Sequence, residues 1–166
     1  MIRIRKATIL DNVRITEVLN QAIEAGNATA ILETFKPEDR LEWLREHLGE
    51  KYVVYVAETD NQVVGWLSLS PYRKGRQAFK HLAEITYYID YAYHRKGIAR
   101  ALYEKALEHC RQHEIKDLVA FLYADNKASV AMLKKLGFSL WGLFPNTICI
   151  QNRELDHVIY GRRLFQ

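Results

Sequence analysis

Between Ile89 and Ala106 the chain reads Ile-Asp-Tyr-Ala-Tyr-His-Arg-Lys-Gly-Ile-Ala-Arg-Ala-Leu-Tyr-Glu-Lys-Ala, the end of a strand, a loop and the start of a helix. The strand is the apolar and β-branched run Ile85-Thr86-Tyr87-Tyr88-Ile89. Gly97 permits a close backbone approach where the helix begins. From Ile98 onward, Ala101, Leu102, Ala106 and Cys110 recur at three- and four-residue spacing and make one buried helical face. The amides of the turn Arg95 to Ala99 then point out of a helix start, beside the cations of Arg95, Lys96 and Arg100, which is a cradle for an anion. The loop lacks both the Gly-x-Gly-x-x-Gly spacing of a dinucleotide fold and the Gly-Lys-Ser/Thr end of a P-loop, so nicotinamide binding and nucleotide hydrolysis are disfavoured.

The 166 residues favour one domain spanning 1–166, and 49% hydrophobic residues suffice to bury a core. The net charge of +4 is scattered in small groups, Arg3/Arg5/Lys6, Arg73/Lys74/Arg76/Lys80 and Arg162/Arg163. That suits attraction of small anions better than tracking a nucleic acid, and no nucleic-acid partner is expected. Cys110 and Cys149 form no disulfide framework or metal-ligand spacing, which favours a reducing interior. Met-Ile-Arg-Ile-Arg-Lys has no apolar core of a signal peptide, and no apolar run approaches the roughly 20 residues needed to span a bilayer. A cytoplasmic protein without a membrane partner is expected.

Ile2 to Ala7 alternates as a strand. Asp11 is placed to cap a helix carrying Val13, Ile15, Val18, Leu19 and Ala22, which Gly26-Asn27 ends. A second helix begins near Pro37 with Leu41, Leu44 and Leu48 as its stripe. Strands Tyr52 to Ala57 and Gln62 to Ser70 flank a hairpin turn, Thr59-Asp60-Asn61. A basic loop, Pro71 to His81, leads to strand Ala83 to Ile89; the helix from Gly97 to about His113 and strand Leu118 to Tyr123 follow. Asn126 opens a helix through Leu136 that Gly137 stops, and Trp141 to Leu164 alternates as two strands turning near Asn152. This order predicts an α/β fold, one mixed sheet with helices on its faces.

The loop His94-Arg95-Lys96-Gly97-Ile98-Ala99, followed some thirty residues later by Ala124-Asp125-Asn126-Lys127-Ala128-Ser129 and Leu136-Gly137-Phe138, resembles the GNAT superfamily of acyl-CoA-dependent N-acetyltransferases. Val63-Val64-Gly65-Trp66-Leu67-Ser68-Leu69-Ser70-Pro71-Tyr72-Arg73, Ala83-Glu84-Ile85-Thr86-Tyr87-Tyr88-Ile89 and Trp141-Gly142-Leu143-Phe144-Pro145 resemble its phosphinothricin acetyltransferase branch. The resemblance runs from Ile2 to Leu164. It implies a mostly antiparallel sheet with a splayed central strand pair, acetyl-CoA as cosubstrate, and a homodimer with the C-terminal strands as a candidate interface. It implies further that the main chain of Tyr87, Tyr88 and Ile89 holds the pantetheine arm, that Arg95, Lys96, Gly97, Ile98, Ala99 and Arg100 wrap the pyrophosphate, and that Asn126 reaches the cofactor. By its residue type alone, Asn126 serves equally as the cap of its own helix. Two positions depart from the branch: His94 stands where Arg or Gln is usual, and Leu133 where many relatives carry a Tyr as acid. Thr29-Ala30-Ile31 likewise replaces the Thr-Phe-Asp that often opens the pocket.

Acetyl transfer to an amine requires the amine neutral, and passes through an oxyanion that wants fixed donors. Period-two alternation puts Glu84, Thr86 and Tyr88 on one strand face and Ile85, Tyr87 and Ile89 on the other. Glu84 is the candidate base, since partial desolvation raises a carboxylate's pKa; a solvated carboxylate at a strand end is the plainer alternative. The expected substrate pocket comprises Tyr72, Arg73, Lys74, Glu84, Ile85 and Thr86. Arg73 and Lys74 would meet a carboxylate or phosphinate, or else are ordinary solvated cations. His109 and His113 lack the glutamate of His-Glu-x-x-His, and no metal is expected. The expected reaction is acetylation of the α-amine of a small amino-acid-like compound. Another amine, such as an aminoglycoside or a protein N-terminus, and a non-catalytic acyl-CoA sensor are the rivals.

Overall fold

Alternation in the strands sorts side chains onto two faces, and each face collects its own helices. The computed structural model describes residues 2–165; Met1 and Gln166, the ends of the expected domain, lie outside the described residues. The order is β1 (Arg3–Lys6), α1 (Asn12–Ala25), α2 (Pro37–Glu46), β2 (Val53–Thr59), β3 (Gln62–Pro71), β4 (Leu82–Ile89), α3 (Ile98–Gln112), β5 (Asp117–Tyr123), α4 (Lys127–Lys135), β6 (Ser139–Ile150) and β7 (Arg153–Arg163). The strands form one seven-stranded sheet, β1-β2-β3-β4-β5-β7-β6. Every described pairing between its strands is antiparallel except β4 with β5, which α3 joins as a crossover.

Val54 and Val56 of β2 pack with Ile15, Val18 and Leu19 of α1, Leu44 of α2 and Trp66 of β3 on one face. Val53, Tyr55 and Ala57 turn to the other, with Leu102 and Ala106 of α3, Leu133 of α4, and Ala83 and Ile85 of β4. The predicted elements are thus present, with ends moved by a few residues, but α2 stops at Glu46 and leaves Leu48, expected on its buried stripe, outside the helix and 42% exposed. The hairpin is tighter than expected: β2 runs through Thr59, and the turn is Asp60-Asn61, both at positive φ (49° and 61°) as a two-residue turn of this hand requires.

Asp11 does not cap α1 through its side chain. Its carboxylate turns back instead, accepting from Thr8 N (2.7 Å) and from the Arg5 guanidinium at 2.7 and 2.8 Å. Two strong donors upstream outbid the helix amides, so the residue fixes the β1–α1 corner rather than the helix end. Gly26 ends α1 in the left-handed conformation, φ 66°.

Candidate active site

The pairing of β4 with β5 covers only Leu82↔Asp117, Ala83↔Leu118 and Glu84↔Val119. The opposite edge of β4 stays paired to β3 from Pro71↔Ala83 to Gly65↔Ile89. From Thr86 onward, therefore, the sheet opens between β4 and β5. Asp90 N donates to Val64 O (2.9 Å), so alternation turns the main-chain groups of Tyr88 toward β3 as well and those of Tyr87 and Ile89 toward the opening. This corrects one expectation: Tyr88 spends its backbone on the sheet and offers the site its side chain. The Ile89 carbonyl meanwhile accepts from His94 Nε2 at 2.9 Å, so His94 is turned back on its own strand.

At the mouth of the opening the chain makes a 3-10 turn, Tyr91–Tyr93, and enters α3 through Arg95 and Gly97, both left-handed at φ 61° and 79°. Ala101 N donates to Gly97 O at 3.0 Å, which leaves the amides of Ile98, Ala99 and Arg100 without helical acceptors. The turn is anchored from α1: Arg14 pairs with Asp90, whose carboxylate also accepts from Ala92 N (2.9 Å), and Gln21 Oε1 accepts from Tyr91 N (3.1 Å). Of the loop cations, Lys96 lies 4.5 Å over the Tyr93 ring and Arg100 pairs with Glu104 at 2.9 Å. Asn126 Oδ1 accepts from Ser129 N at 3.2 Å, so it caps α4, with only its amide nitrogen left to reach outward. The amides, the left-handed glycine and the opened strand edge all suit an extended ligand bearing a diphosphate.

On the α1/α2 face, Glu84, Thr86 and Tyr88 line a cavity of about 390 Å³. Trp66, Ser68 and Ser70 of β3 form its floor, Phe121 and Tyr123 of β5 one wall, and Thr29, Ala30 and Ile31 with Arg40 and Trp43 of α2 another. Burial pushes the Glu84 carboxyl above the usual carboxylate range, opposed only by the Thr86 hydroxyl at 3.4 Å. The floor is tied to α2 through His47. Its Nδ1 meets Trp43 O at 2.7 Å, so Nδ1 carries the proton and Nε2 accepts from Ser70 Oγ at 2.8 Å.

Several expected substrate residues stand elsewhere. Arg73 and Lys74 line a separate cavity of about 450 Å³ with Glu46, His47 and Tyr52, and Lys74 pairs with Glu46 at 2.6 Å. The loop after Pro71 thus stands away from Glu84, with Lys74 held by Glu46. Ile85 points to the α3 side and is 3% exposed in the core, as alternation demands of a neighbour of Glu84. Tyr72 stacks on Phe121 (6.0 Å between centroids) and backs the wall rather than facing the cavity. Leu133 is buried in the core and supplies no acid. The residue that the sequence reading missed is Arg40. Its signal was legible: it lies three and four residues before Trp43 and Leu44, a cation on the inward stripe of α2.

Residues 16–138 match the model of the Acetyltransferase (GNAT) family. The chain belongs to that family. YwnH of Bacillus subtilis, a protein named after phosphinothricin acetyltransferase, is 36% identical over 162 residues, covering 97% of this chain and 98% of that one. An L-methionine sulfoximine/L-methionine sulfone acetyltransferase of Salmonella typhimurium is 30% identical, covering 92% of this chain and 89% of its own. A crystal structure of a GNAT phosphinothricin acetyltransferase from Sinorhizobium meliloti in complex with AcCoA superposes with a TM-score of 0.90 at 26% identity, covering 98% and 88% of the two chains. This GNAT chain is therefore an N-acetyltransferase with acetyl-CoA as its cosubstrate. Among the described residues no group of three or more His, Cys, Asp or Glu could hold a metal ion, and no helix is long and apolar enough to cross a membrane.

Proposed function

We propose that this acetyltransferase acts on the α-amine of a small amino-acid-like substrate of the phosphinothricin or methionine sulfoximine/sulfone type, with Glu84 as the base. The observation that carries the reading is the placement of Glu84, a carboxyl made more basic by burial and lining a cavity beside the point where β4 and β5 part. The names of the relatives support the substrate class.

Acetyl-CoA supplies the acetyl group as a thioester. The main-chain groups of Tyr87 and Ile89, the amides and cations of Arg95 to Arg100 and the amide nitrogen of Asn126 hold it across the opening. An α-amine is mostly an ammonium at neutral pH and cannot attack until it gives up a proton. Glu84 accepts that proton, directly or through water, and Thr86 steadies the carboxylate. Trp66, Tyr88 and Trp43 give the cavity an apolar aromatic side against which the amine's carbon skeleton can lie. Glu84 is the one carboxylate among the cavity's described lining residues, which disfavours a polycationic aminoglycoside. The protein works as a homodimer that pairs through the C-terminal strands, where β6 exposes Leu140, Trp141, Leu143 and Phe144.

The test is thiol release from acetyl-CoA with a panel of amines, wild type against Glu84→Gln. The variant keeps acetyl-CoA binding and loses about 10²- to 10⁴-fold in turnover, the usual worth of a positioned base. Equal turnover removes Glu84 from the reaction, and acetyl-CoA binding without thiol release from any amine leaves an acyl-CoA sensor instead.

A further inference from the structure

Arg40 is a cation lining the amine cavity with no neutralising carboxylate among the described residues. It shares the inward side of α2 with Leu44, which is 0% exposed. Its guanidinium lies 3.9 Å over the Trp43 ring and 5.3 Å from that of Phe35. Aromatic faces of this kind hold the fork in one plane and leave its donor edge free. Nε is buried without a hydrogen-bond partner, and among the described residues no carboxylate comes within 4.0 Å of the side chain. Burial lowers its affinity for the proton, and the nearby Tyr88 only partly offsets this. A half-buried guanidinium lacking a counter-charge is costly, and proteins keep such groups where a partner arrives from outside.

The surroundings say what that partner is. Trp43, Trp66 and Tyr88 form a row at 5.4 and 5.1 Å that runs from Arg40 along the cavity to the strand bearing Glu84. Arg40, Tyr88 and Glu84 all line this cavity. The lining therefore offers a cation for an acid group and a carboxylate for an amine within one small space. We propose that Arg40 is the receptor for the substrate's α-carboxylate, binding it through the guanidinium fork and so aiming the α-amine at Glu84. This assigns to Arg40 the role the sequence reading gave to Arg73 and Lys74. It makes the enzyme selective for free α-amino acids over the same amines with a blocked carboxyl. The inference rests on the amine-acetyltransferase reading above.

The experiment compares wild type with Arg40→Met and Arg40→Lys, using L-methionine sulfone and phosphinothricin, each against its α-carboxamide. Thiol release gives kcat and KM, and calorimetric titration of the same four compounds gives binding without turnover. Wild type prefers the free acids. Arg40→Met raises KM and Kd for the acids about ten- to hundredfold, the worth of hydrogen bonds to a charged group, and levels the acid-to-amide preference. KM for acetyl-CoA is unchanged. Arg40→Lys keeps a point charge without the fork and falls between. Melting of Arg40→Met at or above the wild-type temperature confirms that it folds, since an unneutralised cation has been removed. An unchanged acid-to-amide ratio in Arg40→Met, by turnover or by titration, overturns the role of Arg40. Loss of thiol release with every amine in wild type would strike the acetyltransferase reading instead, and the titration would still decide the acid-group site.

Discussion

Glu84 carries a charge that its surroundings disfavour, and this sets both its chemistry and its cost. Its pKa is raised by burial, so the folded protein holds the proton to a higher pH than the unfolded chain does. Wild-type stability therefore falls as pH rises from the ordinary carboxylate range through the raised value, and the penalty is complete above it. Glu84→Gln escapes the penalty: it melts higher than wild type at neutral pH, and the difference closes as pH is lowered, measured by thermal melts across the range. Turnover of wild type has the opposite demand and declines as the medium is acidified through the same value, because only the ionised carboxylate can accept a proton. The face of Glu84 was legible because alternation in a strand is strict. The side of α2 that Arg40 shares was legible from Trp43 and Leu44, but its place in the pocket was not, because Phe35 and Tyr88 meet it only through the tertiary packing of α2. The same holds for Arg73 and Lys74, whose charge was legible but whose direction was set by the loop and, for Lys74, by Glu46.

At the scale of elements, periodicity and punctuation located every helix and strand to within a few residues, and what they could not give was the detail of the corners. Asp11 is the clearest case. Burial alone would push its carboxyl up, but the Arg5 fork and the Thr8 amide and hydroxyl outweigh burial and hold it below the usual carboxylate range. The stability it supplies is present above the ordinary carboxylate pKa and is lost as pH falls through the lowered one. Asp11→Asn costs about 2 kcal/mol near pH 7 by denaturant titration, with the deficit shrinking in acid. The entrance to α3 gives a second case, where function and fold separate. A Cβ at Gly97 would meet nothing within 4 Å, so Gly97→Ala pays only for its positive φ, about 1 kcal/mol of stability. The same methyl would stand where a diphosphate must approach the amides of Ile98 to Arg100. Acetyl-CoA affinity accordingly falls more than the stability does, about tenfold or more by titration. Equal affinity would move the diphosphate away from this turn.

For the molecule as a whole, the sheet ends in an edge strand that carries exposed apolar side chains. β6 is the edge after β7, and Leu140, Trp141, Leu143 and Phe144 are each about half exposed, between 47% and 52%. Leu140 and Leu143 share the face of Tyr160 and Val158, and Phe144 lies on the other with His157, so both sides of this edge strand carry apolar side chains that water solvates poorly and that a second strand can cover. The hairpin also reaches the active site, since Ile148 of β6 and His157 of β7 line the amine cavity, and His157 stacks between Phe121 and Phe144 at 5.7 and 5.6 Å. Covering this edge with a second copy would thus hold one wall of the cavity in place. Light scattering on wild type is expected to give twice the chain mass of 19.4 kDa. Leu143→Glu, which puts a charge on the half-exposed edge strand opposite Val158, is expected to give single chains and a several-fold higher KM for the amine, while acetyl-CoA binding persists and the melting temperature shows that the chain still folds. A wild type that scatters as a single chain would show that the edge is left uncovered and that the cavity wall stands without it.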